Sequence, residues 1–363
     1  SNTGYRALSA RNIKTGRIVQ TDTIRYVDES LYQKWMKDEV RRGDILITSE
    51  APFGQIFYWD SDEKIVLSQR LFCIRVNPKY DARFIYYYMT TSAFQGELAG
   101  RSTGTTVIGL RQPELMKCII HIPSGENQHR IASILASIDA KISSNQKIND
   151  NLYAQAKAIF EDHFINLDAI PDGWRKGNLL DIANYLNGLA MQKFRPNVNE
   201  VGIPVLKIKE LRQGSCDESS ELCSPNIKPE YIIRDGDVVF SWSGSLLVDI
   251  WCGGTCGLNQ HLFKVSSEVY GKWFYFLWTT HHLDRFVAIA ADKATTMGHI
   301  KREELAKAEV LIPSDGDYNE IDSIMRPIFE LIISNRIETR KLASLRDELL
   351  PKLMSGEFDL SSI

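Results

Sequence analysis

Few residue groups in this 363-residue chain have types and spacings that could do chemistry. Asn77-Pro78-Lys79-Tyr80 approaches the Asn-Pro-Pro-aromatic loop that holds a base for amino methylation, but Lys79 stands where the second proline belongs and no Gly-rich turn precedes it. A turn after a strand is the simpler reading. Gly271-Lys272 is followed by Trp273, not by the Ser or Thr of a phosphate loop, and lacks the upstream glycine, so no ATP motor is expected. Cys216, Cys223, Cys252, Cys256 and His261 share the second half and raise the question of zinc, yet their spacings fit no usual knuckle and the first half has no equivalents. Buried reduced thiols are expected instead, with no metal site and no structural disulfide. The seven histidines are scattered, and no Ser/His/Asp arrangement stands out. No catalytic residue is assigned.

The balance of 44% hydrophobic and 25% charged residues is that of a folded chain with room for two domains. No apolar run reaches the roughly 18 to 20 residues needed to cross a bilayer and no signal peptide is evident, so a cytoplasmic location is the expectation. A net charge of -3 argues against indiscriminate phosphate binding. Residues 1–122 nevertheless hold 17 Lys and Arg against 13 Asp and Glu, whereas 314–363 hold 6 against 10. Any nucleic-acid contact must then come from local patches, although an ordinary charge fluctuation explains the difference equally well.

The elements that would position such patches occur twice. Thr105, Thr106, Leu110, Leu115, Lys117, Ile122, Pro123 and Ser124 align with Thr295, Thr296, Ile300, Leu305, Lys307, Ile312, Pro313 and Ser314 at a constant offset of 190. Arg42-Gly43-Asp44-Ile45-Leu46-Ile47 aligns with Asp235-Gly236-Asp237-Val238-Val239-Phe240, and Ser68-Gln69 with Asn259-Gln260. Each Gly-Asp pair reads as a turn feeding a buried strand, and 64–76 and 258–265 read as further strands. The aromatic runs 84–88 and 273–276 could stack bases, but their spacing fits core packing on short amphipathic helices better. Each repeat is therefore α+β: a mixed, β-rich globule with a few helices.

A long helix follows each globule. From 127 to 164 there is no Pro or Gly, and Ile131, Leu135, Ile138, Ile142 and Leu152 recur at helical spacing. Ile321, Met325, Ile328, Ile332 and Leu342 do the same in the second stretch. About 38 residues would make a rod of roughly 57 Å, and a sustained heptad seam on such a rod calls for another helix. The expectation is an antiparallel coiled coil between the two, with approximate two-fold symmetry and the rods setting the gap between globules. Asn145 and Asn335 occupy equivalent seam positions and, with Asn149, can fix register, unless they lie at an exposed edge. Pro327 and Pro351 predict a bend or late start in the second helix and a weakening near its end. The expected boundaries are 1–125, 126–167, 168–314 and 315–363.

In this order and twice over, the Gly-Asp strand, Ser68-Gln69-Arg70 and Asn259-Gln260-His261, the Ile-Pro ends, Asn127-Gln128-His129-Arg130-Ile131-Ala132 and Leu349-Leu350-Pro351-Lys352-Leu353-Met354-Ser355-Gly356 resemble the specificity subunits of type I restriction-modification systems. The resemblance covers essentially the whole chain. It implies two target-recognition domains that read a bipartite double-stranded DNA target for two methyltransferase subunits and, optionally, restriction subunits. S-adenosylmethionine, ATP and Mg would belong to those partners and no cofactor to this chain. One departure is that the second repeat opens with 171–201, while the first begins directly at the match to 202–209, so its opening part is expected to be missing. On this reading, DNA contact is expected from polar loops near strand ends: Arg11, Lys14, Ser49, Gln69, Arg70, Arg101 and Thr105, with Lys209, Arg212, Ser241, Ser243, Gln260, His261, Lys293, Thr295 and His299 as counterparts. Gln69 and Gln260 could instead satisfy buried backbone groups. A coiled-coil assembly adaptor without DNA specificity is the alternative.

Overall fold

The computed structural model describes residues 3–104, 108–292 and 300–357. Thr105, Lys293, Thr295 and His299 lie outside them. The chain forms two compact units, 1–140 with 343–363, and 141–342.

The first unit contains β1 (Tyr5–Leu8), β2 (Ile13–Lys14), β3 (Arg17–Ile18), β4 (Arg25–Val27), α1 (Glu29–Trp35), β5 (Ile45–Thr48), β6 (Ile56–Tyr58), β7 (Ile65–Leu67), β8 (Leu71–Ile74), α2 (Ala82–Thr90), α3 (Ser92–Gly100), α4 (Gln112–Leu115) and the start of α5 (Gly125–Phe160). Its sheets run β4-β1-β7 and β6-β5-β8, with a β2-β3 hairpin. Strand β5 is buried on both faces, as its unbroken Ile-Leu-Ile requires: Ile45 and Ile47 face a core with Phe84, Leu98, Ile131 and Leu353, and Leu46 faces another with Leu8, Tyr32 and Trp59.

The second unit contains the rest of α5, then β9 (Arg175–Asn178), α6 (Leu179–Ile182), β10 (Asn184–Asn187), β11 (Ile203–Leu206), α7 (Ile208–Gln213), β12 (Leu222–Cys223), β13 (Ile232–Ile233), β14 (Val238–Ser241), β15 (Leu247–Ile250), β16 (Cys256–Leu258), β17 (Leu262–Ser266), α8 (Lys272–His281), α9 (Leu283–Asp292), α10 (Arg302–Ala306), β18 (Glu309–Ile312) and most of α11 (Asp315–Ser355). Its sheets run β10-β17-β14-β15, β12-β11-β16-β13 and β18-β9. Strand β14 repeats the two-faced burial of β5, with Val238 and Phe240 in one core and Val239 in another.

The Gly-Asp pair is a turn lock built identically in both units. Gly43 and Gly236 adopt φ of 94° and 86°, a region open to glycine. The Arg41 and Arg234 amides donate to the carboxylates of Asp44 and Asp237 at 2.9 and 2.8 Å. The Trp59 and Trp251 amides donate to the carbonyls of the same two aspartates, both at 2.8 Å.

Two expectations need correction. Each run read as one strand is two strands, because the chain turns a corner from one sheet into another: β7 pairs with β1 but β8 with β5, and β16 pairs with β11 but β17 with β14. Arg70, at φ 68°, makes the first corner in the left-handed region. The second correction concerns a late start at proline: α11 already begins at Asp315 and runs through Pro327 and Pro351 to Ser355. Met325 and Phe329, 0% and 3% exposed in the second unit's core, flank Pro327 and offset the ~3 kcal/mol that an interior proline costs.

The aromatic runs form α2 and α8 and are buried in cores, so they offer no base-stacking platform. Within the first unit, Ile131 and Leu135 of α5 pack in one core with Leu353 of α11, and Arg346 donates to Asp139 at 2.9 Å. Within the second, Asn145 donates to Glu338 at 2.7 Å, and Asn335 donates to Asn149 at 3.0 Å. Residue numbers rise on one helix as they fall on the other, so the pairing is antiparallel in each unit. Both Asn145 and Asn335 are buried, which disposes of the exposed-edge reading. Ile138 and Ile332 are buried; Ile142, Leu152 and Leu342 are half-buried. Ile321, Met325 and Ile328 instead pack into the globular core of the second unit.

Candidate nucleic-acid interface

In each unit two parallel strands end side by side: Ala7 and Leu8 of β1 beside Val66 and Leu67 of β7, and Val205 and Leu206 of β11 beside Gly257 and Leu258 of β16. Their exits are tied by backbone bonds, Ser68 N–H to Leu8 O at 2.7 Å and Asn259 N–H to Leu206 O at 3.2 Å. One exit carries Arg11 or Lys209. The other carries Gln69-Arg70 or Gln260-His261. A third element joins them at the end of β5 or β14, where the Ser49 amide donates to Arg70 O at 2.9 Å and the Trp242 amide to His261 O at 3.4 Å. A crossing segment closes the arrangement, with Leu110 N–H donating to Ser49 O and Ile300 N–H to Trp242 O, both at 2.9 Å. The repeat thus brings the same three loops together twice.

The side chains at these equivalent places differ. In the first unit Arg11, Lys14, Gln69 and Arg70 are exposed, and Arg70 forms an ion pair with Glu50 at 2.7 Å. Arg101 pairs with Glu97, which also accepts from the Ile119 amide, a set of contacts that ties down the end of α3. In the second unit Ser243 Oγ and His261 Nδ1 lie 3.0 Å apart, and Gln260 Nε2 is 3.3 Å from His261 Nε2. Trp242 packs on the His261 ring at 6.1 Å, and its indole donates to Asn187 at 2.9 Å.

Several expected contacts are redirected. Ser241 is fully buried and its hydroxyl donates to the carbonyls of Ser243 and Ser245, closing the turn; it cannot reach a groove. The position matching Ser49 is Trp242, as the shared backbone bonds show. Lys209 donates to Ser219 at 2.7 Å and lies 3.4 Å from Asp217. The Asp217 carboxyl is held well below its usual range by donation from Ser219 and Gln213. Arg212 is exposed on α7. Gln69 is exposed and Gln260 faces His261, so neither satisfies buried backbone.

The structure adds Glu50, Trp242 and Asn187, which sequence reasoning missed. The repeat offset of 193 would have paired Trp242 with Ser49 and Glu50 with Ser243. All six cysteines are free thiols, with Cys216 and Cys256 sulfurs 3.4 Å apart. No cluster with metal-holding composition occurs among the described residues. No helix among them is long and apolar enough to cross a membrane.

A β-rich unit built twice, with matching strand-end loops and paired helices, defines a duplicated recognition fold. Residues 16–154 and 171–345 each match the family described as type I restriction modification DNA specificity domain, and the chain belongs to that family. It is 26% identical over 344 residues to the type I restriction enzyme MjaIX specificity subunit of Methanocaldococcus jannaschii, covering 89% of this chain and 79% of that one. It is 19% identical over 404 residues to the HindI specificity subunit of Haemophilus influenzae, covering 88% of each. The fold is also that of a crystal structure of a type I restriction-modification S subunit from M. genitalium, with a TM-score of 0.57 at 16% identity over 97% of this chain and 89% of that one.

Proposed function

We propose that this chain reads a bipartite double-stranded DNA target, one half-site per unit, and does no chemistry itself. The observation that carries this is the strand-end constellation, built twice on the same backbone bonds with different side chains: Arg70 and Glu50 in one unit, His261, Gln260 and Ser243 in the other. A common frame with divergent tips suits two independent readers, since arginine and glutamine can make bidentate bonds to base edges. Methyltransferase subunits, two by the resemblance, and restriction subunits would act at the site. They would hold S-adenosylmethionine, ATP and Mg, and this chain would hold none.

Selection from random duplexes tests the proposal. Two short motifs at fixed spacing are expected. Recovery of no motif would favour an assembly adaptor, and methyl transfer or cleavage by the purified chain alone would refute the non-catalytic assignment.

A further inference from the structure

In both units the residue two positions beyond the buried β-strand grips the side chain at the strand-to-strand corner. Glu50 follows Thr48 of β5 and pairs with the Arg70 Nε at 2.7 Å; Ser243 follows Ser241 of β14 and lies 3.0 Å from the His261 ring. The two pairs occupy equivalent places, because the intervening residues Ser49 and Trp242 make the same backbone bond to residues 70 and 261. The chemistry differs completely, carboxylate with guanidinium against hydroxyl with imidazole, so what the repeat preserves is the act of fixing the corner side chain.

We infer that Glu50 and Ser243 are positioning residues that set base specificity by holding Arg70 and His261, and that the first unit's pair is built for guanine. This rests on the DNA-reading function proposed above. The space beside Glu50 is kept open by Gly109, where an added β-carbon would lie 3.3 Å from the carboxylate, and Gly109 is itself fixed by two 2.9 Å backbone bonds with Thr103. A guanidinium held through Nε retains its Nη1/Nη2 edge, the pair of donors that matches O6 and N7 of guanine. The Arg70 side chain is half-exposed at this corner, where the backbone adopts φ 68°. Fixing a long side chain before binding removes rotamer entropy that binding would otherwise have to overcome. The neutralised charge also makes Arg70 a poor nonspecific phosphate anchor, so its contribution falls on discrimination.

In the second unit Ser243 is buried, and His261 is further fixed by donation of its amide to Asn259 Oδ1 at 3.2 Å. His261 then orients Gln260, whose amide suits the N6 and N7 edge of adenine.

The test is duplex selection with the full chain carrying E50Q, R70K or S243A, with thermal melting as a folding control. E50Q and R70K should each reduce the preference for guanine at one position of one half-site by about tenfold and leave the other half-site unchanged; R70K conserves charge and should keep nonspecific affinity, whereas E50Q frees the Arg70 charge and should raise it. E50Q should add nothing in an R70A background, and E50D should recover part of the preference. S243A should act only on the opposite half-site. The inference is overturned if folded E50Q selects the unaltered motif, or if it erodes both half-sites equally. If the unsubstituted chain selects no motif, the DNA-reading function itself fails.

Discussion

Asp44→Asn should destabilise the first unit by about 2 kcal/mol. The Asp44 side chain is buried and accepts from the Arg41 amide at 2.9 Å and from Arg75 Nε and Nη2 at 3.0 and 2.8 Å. Breaking a fully buried ion pair costs roughly 3 to 5 kcal/mol. Arg75 is 37% exposed and keeps Asp38 and the Glu39 carbonyl, so solvent and these partners recover some of that. An amide can still accept one bond, which brings the figure to about 2 kcal/mol. Burial works to raise the Asp44 carboxyl, but donation from Arg75 and the Arg41 amide overcomes it, and its pKa lies below the usual value. A depressed carboxylate contributes stability that is present above its unfolded pKa and is lost as pH falls through the folded one. The gap between parent and variant should therefore be full at pH 7 and shrink below about pH 4. Urea unfolding across pH 3 to 7 measures both. A cost under about 0.5 kcal/mol at pH 7, or a gap that widens in acid, would refute the reasoning.

Other outcomes follow from particular contacts. Asn335→Ala leaves Asn149 Oδ1 without its donor, while the Asn149 amide keeps the Ile332 carbonyl, and should cost about 1 kcal/mol, whereas the double change to Leu at 149 and 335 should cost less, as read by urea unfolding. Gly188→Ala would set a β-carbon 2.2 Å from the Asn259 carbonyl, so it should lower the melting temperature and weaken the half-site read through His261. Timed alkylation at pH 8 should label Cys216 before Cys223. The Cys216 thiol is lowered by its bond with Cys256, whereas burial pushes Cys223 up to about 11.

Much of the fold was legible because the chain states it twice. The Gly43-Asp44 and Gly236-Asp237 turns, the aromatic helices and the antiparallel helix pairing all follow from spacing and residue type. The corners at 68–70 and 259–261 were not legible, because a continuous apolar run looks the same whether it stays in one sheet or crosses into the next. Pro327 misled for a related reason: local propensity was overridden by burial of Met325 and Phe329, a tertiary term. At the candidate interface, the loops could be named from strand-end polarity, and Arg70, Gln260, His261 and Ser243 do converge in their respective units. Ser241 could not be sorted from them, since only coordinates reveal that its hydroxyl is buried and closes a turn. Glu50 escaped notice because an acidic residue is not an obvious DNA contact until its partner is seen.

In the second unit, Val310 and Ile312 of β18 are covered through pairing with β9, while the matching Ile122 of the first unit is exposed. The strand-end loops carry the same backbone bonds in both units.

The most direct measurement is duplex selection with R70A and H261A made singly in the full chain. R70A is expected to weaken base preference in one half-site only and H261A in the other only, with spacing between the halves retained. Loss of both half-sites from either change, or of neither, would contradict the assignment of one reader to each unit.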